Sequence, residues 1–290
     1  MRSRRGDRDE NMSMSLTPQL IKPARLSGVT LCAIESRPSL AIVEALSATL
    51  EQVECDEVLF LAPTLPKSLP EHIRHVPIPE FRNVAEYSHY VLKRLADHVS
   101  TPHVLLIQWD GFVLDGRSWN PQFLDCDYIG APWPHVEAPF SVGNGGFSLR
   151  SRTLLLACQD SDFIVSQPED MAICKWNRQL LAERYGIKFA SPELAASFSC
   201  EHGPMIGPTF GFHGIFNFPH VYPERLDEVL EGLDDLLLHN RDARTLCVRL
   251  LRSRNPEYRA IGRRFLKRLI LRTPWNKHNW LALRNLLLGW

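Results

Sequence analysis

Apolar residues fall into two rhythms along the first half of the chain, and the switch between them predicts alternating strands and helices. Val29 to Ile34 is an apolar run after Ser27-Gly28, the form of a strand buried on both faces. Ser39 to Leu50 is apolar at helical spacing and follows Pro38, which suits a first helical turn. Glu57 to Ala62 reads as a second strand, stopped by Pro63. Residues 63–83 are rich in proline and read as loop, with a short strand at His75 to Ile78. Ala85 to His98 reads as a helix, and Val104 to Ile107 as a strand running into Gln108-Trp109-Asp110-Gly111. The order β-α-β-(β)-α-β predicts an α/β fold with a covered parallel sheet.

The second half is less regular. Asp127 to Gly130 reads as another strand, and residues 131–148 as Gly-, Pro- and aromatic-rich loops of the kind built around a site. Helices are expected at Arg152 to Gln159, Asp170 to Tyr185 and Leu226 to Leu238. From about 241 the pattern is basic and amphipathic, broken at Pro256 and Pro274. This divides the chain into a disordered lead (1–26), a globular domain (27–240) and a basic helical extension (241–290).

Composition narrows the class. Of 290 residues, 44 % are hydrophobic and 23 % charged, which excludes wholesale disorder and fibrous rods. No apolar run approaches the ~20 residues that span a bilayer. The net charge of zero gives no reason to expect nucleic acid as a partner. It hides an asymmetry: residues 27–240 carry 14 basic and 28 acidic side chains, residues 241–290 carry 13 and 2. A basic tail on an acidic body implies an anionic partner for the tail or a contact with the body itself. Seven cysteines, an odd number without a C-x-x-C pair, read as free thiols in a reducing compartment. The polar N-terminus lacks the apolar core of a secretory signal, so the expected place is the cytoplasm.

Four segments carry candidate chemistry. Asp110 and Gly111 directly follow a strand, where ligands bind in open α/β sheets, although an Asp there is also a common turn residue. Gly143-Asn144-Gly145-Gly146-Phe147-Ser148-Leu149-Arg150-Ser151 removes side chains where a ligand or a backbone must come close, and Arg150 can pair with phosphate or carboxylate. An Asn-Gly hairpin would use the same residues. Glu169-Asp170 opens a helix, where the dipole favours carboxylates and where a general base can also stand. His213, within Phe210-Gly211-Phe212-His213-Gly214, is poorly explained as core packing and is a residue type that binds metals, although a lone His is more often structural. P-loop, nucleophile-elbow and zinc-protease motifs are absent.

These segments, together with Ile34-Glu35-Ser36-Arg37-Pro38 and Asp127-Tyr128-Ile129-Gly130-Ala131-Pro132-Trp133, resemble a family of uncharacterised, largely bacterial proteins. That family is itself similar to glycosyltransferases of the GT-A fold and, more distantly, to galactosyltransferase and Fringe-type enzymes. The resemblance covers about residues 28–220. It implies a GT-A-like single-sheet domain binding a nucleotide-diphosphate sugar, a UDP-sugar in the first instance. It also implies inverting transfer to a glycan or lipid-linked acceptor, with Asp170 as base and Glu169 orienting hydroxyls. Glu35, Arg37, Asp110, Gly111, Trp133, Asn144, Gly145, Gly146 and Arg150 are the implied donor-binding residues, and Asp110 with His213 the implied ligands for Mn²⁺ or Mg²⁺. The departure is at the metal motif: such enzymes carry Asp-x-Asp, and here Gly111-Phe112 follows Asp110. That leaves a second reading, a noncatalytic nucleotide- or glycan-binding protein on the same fold. For the tail, with Trp275, Trp280 and Trp290, two readings stand equally: an anionic membrane surface on the inner face, or a helical cap packed on the acidic domain.

Overall fold

The structure is a computed structural model that describes residues 22–272 apart from 38, 67, 68, 71, 204 and 206. The first strands are β1 (Ala24–Ile34), β2 (Val53–Ala62), β3 (Arg74–Pro77), β4 (His103–Ile107) and β5 (Tyr128–Ile129). They are followed by β6 (Ala131–Pro132), β7 (Val142–Gly143) and β8 (Ser148–Ser151). One six-stranded sheet runs in the order β3-β2-β1-β4-β8-β5. β1 to β4 are parallel, as expected, whereas β8 lies antiparallel to β4 and β5. The sheet is therefore mixed. Its antiparallel member begins at Ser148, the last residue of the segment read as loop, because Ser148 to Ser151 is buried throughout and can take a central position.

β1 begins five residues before its apolar run, so the expected lead and the strand overlap at Ala24 to Leu26. Arg25 holds this end by pairing with Glu54 at 2.7 Å and with Asp56. Gly28, at φ +77°, sits where the β1–β2 register shifts, a bulge that polar Arg25 and Ser27 disguise in the sequence. Residues 1–21 lie outside the described residues, as do Pro38, Pro274 and the three tail tryptophans.

Alternate residues of each strand face opposite sides. Leu31, Ala33, Phe60, Leu105 and Ile107 face α1 (Leu40–Gln52). Cys32, Ile34, Leu59, Leu61, Val104 and Leu106 face α2 (Val84–Arg94), with Leu155 of α3 (Arg152–Ala157). The helix expected over 170–185 is divided into α4 (Glu169–Met171), a π-helical turn Ala172–Trp176 and α5 (Arg178–Tyr185). Asn177 marks the break: its side-chain amide binds the carbonyls of Ala172 and Ile164. Next come α6 (Pro192–Phe198) and the parallel pair β9 (Ser199–Cys200) and β10 (Gly211–Phe212), which no sequence pattern announces. The expected helix at 226–238 is α8 (Leu226–Gly232) and a separate 3₁₀ turn Asp235–Leu238, preceded by the short α7 (Phe218–Val221).

The basic segment forms α9 (Arg241–Leu251) and α10 (Pro256–Arg272). Leu246, Cys247, Leu250, Ile261, Phe265 and Leu269 join the same core as Leu31 of the sheet. Arg264 pairs with Asp227, and Arg268 with Asp235 at 2.8 Å, so the basic tail meets the acidic segment of the body. Residues 241–272 thus form a cap packed onto the α/β body. Among the described residues no helix is long and apolar enough to cross a membrane.

Candidate active site

A cavity of about 710 Å³ opens at the carboxyl ends of β1 and β4. After β1 the chain continues to one side of the sheet, and β4 starts the other side. Neighbouring strands whose connections leave in opposite directions open a crevice beyond their ends. Ile34 to Arg37 leave β1 into the cavity, and Gln108 and Trp109 leave β4 into it.

Gln108 and Gly111 exchange backbone hydrogen bonds of 2.9 and 3.0 Å, placing Trp109 and Asp110 at the tip of a tight turn. The Asp110 carbonyl accepts the Gly214 N–H at 2.7 Å, and His213 N–H donates to the Cys200 carbonyl, so β9, β10 and this turn are stitched together. His213 Nε2 then stands 3.7 Å from Asp110 Oδ1 and 3.3 Å from Gln108 Oε1. Its other nitrogen, Nδ1, is 3.2 Å from Glu201 Oε1. Burial alone would lower the His213 pKa, but the Asp110 charge and then Glu201 outweigh it and raise it to about 9. Asp110 is pushed up by burial, an effect His213 opposes and Asp242 of α9 reinforces.

The Gly-rich segment forms the opposite wall. Asn144 adopts φ +77°, and its side-chain oxygen accepts the N–H groups of Gly146 (2.8 Å) and Phe147 (3.1 Å). A Cβ on Gly145 would lie 2.1 Å from Glu169 Oε1, and one on Gly146 would lie 2.1 Å from His213 Nε2. Both glycines are therefore required by close approach to the two acidic and basic walls of the site. Asp170 Oδ2 accepts the Gly145 N–H at 3.2 Å, and Oδ1 accepts the Met171 N–H at 2.7 Å. Burial, then the adjacent Glu169 charge, raise the Asp170 pKa to about 6. Glu35 is pushed up to about 7, chiefly by burial.

The structure brings Glu35, Arg37, Asn144, Gly145, Gly146, Glu169, Asp170 and His213 into this one cavity. Asp110 and Gly111 stand behind His213; a Cβ on Gly111 would be 2.7 Å from its ring. Arg150 and Trp133, expected to touch the donor, are instead buried and stand off the cavity wall. Arg150 is fully buried, its guanidinium on Glu169, the Gly145 carbonyl and Ser148, with the Tyr128 ring 5.5 Å away. It holds Glu169 from behind. Trp133 is 7 % exposed and packs against Gly143, where a Cβ would be 2.0 Å from its ring, so its ring supports the turn. Ser151 does cap α3, accepting the Leu154 N–H at 3.0 Å.

Sequence reasoning misses Glu201, Gln108, Tyr87 and Asp242, all on the cavity wall. Gln108 carries one signal, its position two residues before Asp110. Glu201 carries none, because it reaches His213 only through the β9–β10 pairing. Among the described residues, no three His, Cys, Asp or Glu side chains converge as a metal-type cluster. Asp110 and Glu201 lie on different nitrogens of the His213 ring; the second oxygen on the Nε2 side belongs to the Gln108 amide.

A family profile described as "Protein of unknown function (DUF5672)" matches residues 72–213. No curated protein matches the chain. Among solved structures, similarity extends to the mannosyltransferase PcManGT from Pyrobaculum calidifontis, in complex with GDP-Man and Mn²⁺. Its TM-score is 0.37 at 12 % identity, over 88 % of this chain and 74 % of that one. The galactosyltransferase LgtC, in complex with donor and acceptor sugar analogs, gives a TM-score of 0.43 at 12 % identity, over 80 % of this chain and 99 % of that one.

Proposed function

We propose that this chain is a glycosyltransferase that moves a sugar from a nucleotide-diphosphate sugar, a UDP-sugar first, to a hydroxyl of a glycan or lipid-linked acceptor with inversion. The observation that carries this reading is the placing of Asp170. It lies in a cavity at the carboxyl ends of parallel strands, oriented by Gly145 and Met171 N–H groups, with its pKa raised to about 6. A carboxylate so tuned is ionised at neutral pH yet basic enough to take a proton as charge shifts. The acceptor O–H gives its proton to Asp170 while its oxygen bonds the anomeric carbon. The bond from that carbon to the diphosphate breaks, and the electron pair leaves with the nucleotide.

Glu169, held by Arg150 at 3.1 Å, orients sugar or acceptor hydroxyls. Glu35 and Arg37 take the nucleotide at the end of β1. Asp110 and His213, 3.7 Å apart, would hold a Mn²⁺ or Mg²⁺ ion, which would have to displace the proton that the two carboxylates keep on His213. Such an ion, when bound, neutralises the departing diphosphate. The exposed basic face of α10, with Arg263, Lys267 and Arg272, offers an anionic membrane surface a place to dock, which suits a lipid-linked acceptor on the inner face of the membrane.

A screen of nucleotide sugars for transfer or slow hydrolysis tests the reading. Asp170→Asn should lower the rate ~10²–10⁴-fold while nucleotide affinity stays within about twofold. Proton NMR of the product should show the opposite anomeric configuration to the donor. The noncatalytic reading draws on the internal pairing of His213 with both Asp110 and Glu201. It predicts nucleotide or glycan binding that Asp170→Asn leaves intact and no turnover with any donor.

A further inference from the structure

We infer that the acceptor is a sugar seated on Trp109 against a wall that the C-terminal segment 234–242 contributes, with Leu236 and Asp242 completing the seat. Its role as acceptor site rests on the glycosyltransferase reading; the sugar seat itself shows in binding alone.

Trp109 is the aromatic platform. It stands at the tip of the tight turn closed by Gln108 and Gly111, half-buried on the cavity wall. Its ring meets the buried Phe218 of α7 edge to face, with centroids 6.1 Å apart and planes at 83°. A ring braced in this way on a closed turn loses little freedom when a ligand covers it.

The facing wall comes from the cap. Leu236 lines the cavity and is 58 % exposed, although Leu233 and Leu238 beside it are buried in the core. Its 3₁₀ turn is fixed from two directions. Asp234 accepts the Leu236 N–H at 2.8 Å, and Arg268 of α10 binds Asp235 and donates to the Leu233 carbonyl. The basic helix thus holds an apolar side chain out at the cavity wall. Asp242 lines the cavity from the first turn of α9, close enough to His213 and Asp110 for its charge to raise both their pKa values. It is one of two acids among residues 241–290. Asp227 and Asp235 are paired with arginines of α10, whereas Asp242 forms no ion pair among the described residues. The α9 dipole favours a carboxylate in that turn, and its oxygens remain open to a ligand's hydroxyls.

Charge separates this wall from the nucleotide. Arg37 pairs with Glu80, and Arg82 precedes α2, so the arginines of the cavity gather beside that helix on one face of the sheet. α9 packs with the core of the other face, where the wall offers Asp234 and Asp242 beside leucines. A diphosphate is repelled from that end, and an uncharged ligand is not. A sugar fits it: its C–H face covers an aromatic ring and leucine methyls, and its hydroxyls donate to carboxylates. Trp109 apart, the seat lies beyond residues 72–213, the segment that the family profile matches.

The test is saccharide binding to the full chain in the presence of UDP. It is read by saturation-transfer NMR and calorimetric titration with methyl glycosides of glucose, galactose, mannose and N-acetylglucosamine. At least one should bind together with UDP. Trp109→Ala should weaken it about tenfold, and Trp109→Phe should restore most of that loss. Leu236→Ser, at an exposed position, should weaken it about threefold with an unchanged melting temperature, and Asp242→Asn about fivefold. UDP affinity should stay within about twofold in all four variants. If Trp109→Ala does not fold, the Leu236 and Asp242 variants decide. Unchanged saccharide affinity in both of these overturns the seat, as does binding of no glycoside at tens of millimolar. Loss of UDP affinity in Trp109→Ala with saccharide affinity intact would give the ring to the nucleobase and overturn it too. Transfer to a sugar whose KM these variants leave unchanged sinks the seat and leaves the glycosyltransferase reading standing. The expected binding pattern without reaction of any nucleotide sugar does the reverse.

Discussion

Arg150 and Glu169 form an ion pair of 3.1 Å in which the arginine side chain is 0 % and the glutamate 5 % exposed, directly behind the Gly145-Gly146 turn. A buried pair is costly to break from one side, because the remaining charge loses its partner in a medium that solvates it poorly. Arg150 is further tied to the Gly145 carbonyl and to Ser148, so the pair links β8, the turn and α4 into one unit. Arg150→Met should destabilise the fold by about 3–5 kcal/mol in urea denaturation. Arg150→Met with Glu169→Gln should cost less than the sum of the two single changes, and strict additivity would mean that the pair is not coupled.

Asp170 gives a stability change with pH whose sign is determined by the raised pKa. Its folded value of about 6 lies above the ordinary 3.8, so its contribution is fully present below about pH 4 and is lost as pH rises through 6. Asp170→Asn should therefore stabilise the protein at pH 8, by on the order of 1–3 kcal/mol, and change little at pH 4. The acidic limb of kcat/KM should fall near pH 6 in wild type. A limb near 4 would remove Asp170 as the tuned base.

Gly146→Ala should lower affinity for UDP at least tenfold, because the new methyl group would meet His213 Nε2 at 2.1 Å. Gly143→Ala should instead act on stability, since its Cβ would meet Trp133 at 2.0 Å in a packed interior; overpacking of this kind costs about 1–3 kcal/mol. Gly232→Ala is the control: nothing lies within 4 Å of its Cβ, and its melting temperature should stay within about 2 °C of wild type. Calorimetric titration with UDP and thermal melts separate the three outcomes.

Phe265 is 4 % exposed and belongs to the main core, so Phe265→Ala should destabilise the whole chain by about 3–5 kcal/mol. The double change Arg263→Glu, Lys267→Glu lies on the exposed face of the same helix and should leave the melting temperature unchanged. Flotation with anionic vesicles at low salt should report weaker association for this double variant. Equal association of variant and wild type would leave α10 as a cap alone.

Local patterns determined much of this protein. The runs Val29–Ile34 and Val104–Ile107, with the helical spacing after Pro38 and Ala85, announce β1, β4, α1 and α2, because burial on both faces and a 3.6-residue period are written in consecutive residues. The end of β4 likewise marks Asp110, and the glycines mark a close approach. Tertiary structure alone decided which chemistry each residue is free to do. Arg150 looks like a ligand-binding arginine in its string, yet β8 inserts antiparallel beside β4 and turns the guanidinium inward onto Glu169. Trp133 looks like a stacking platform, yet Gly143 across β6 and β7 receives its ring. Gln108 and Glu201 look like ordinary polar residues until the β9–β10 pairing places His213 between them. These roles arise from contacts between segments up to about a hundred residues apart, and no period in a single stretch of chain encodes such a meeting.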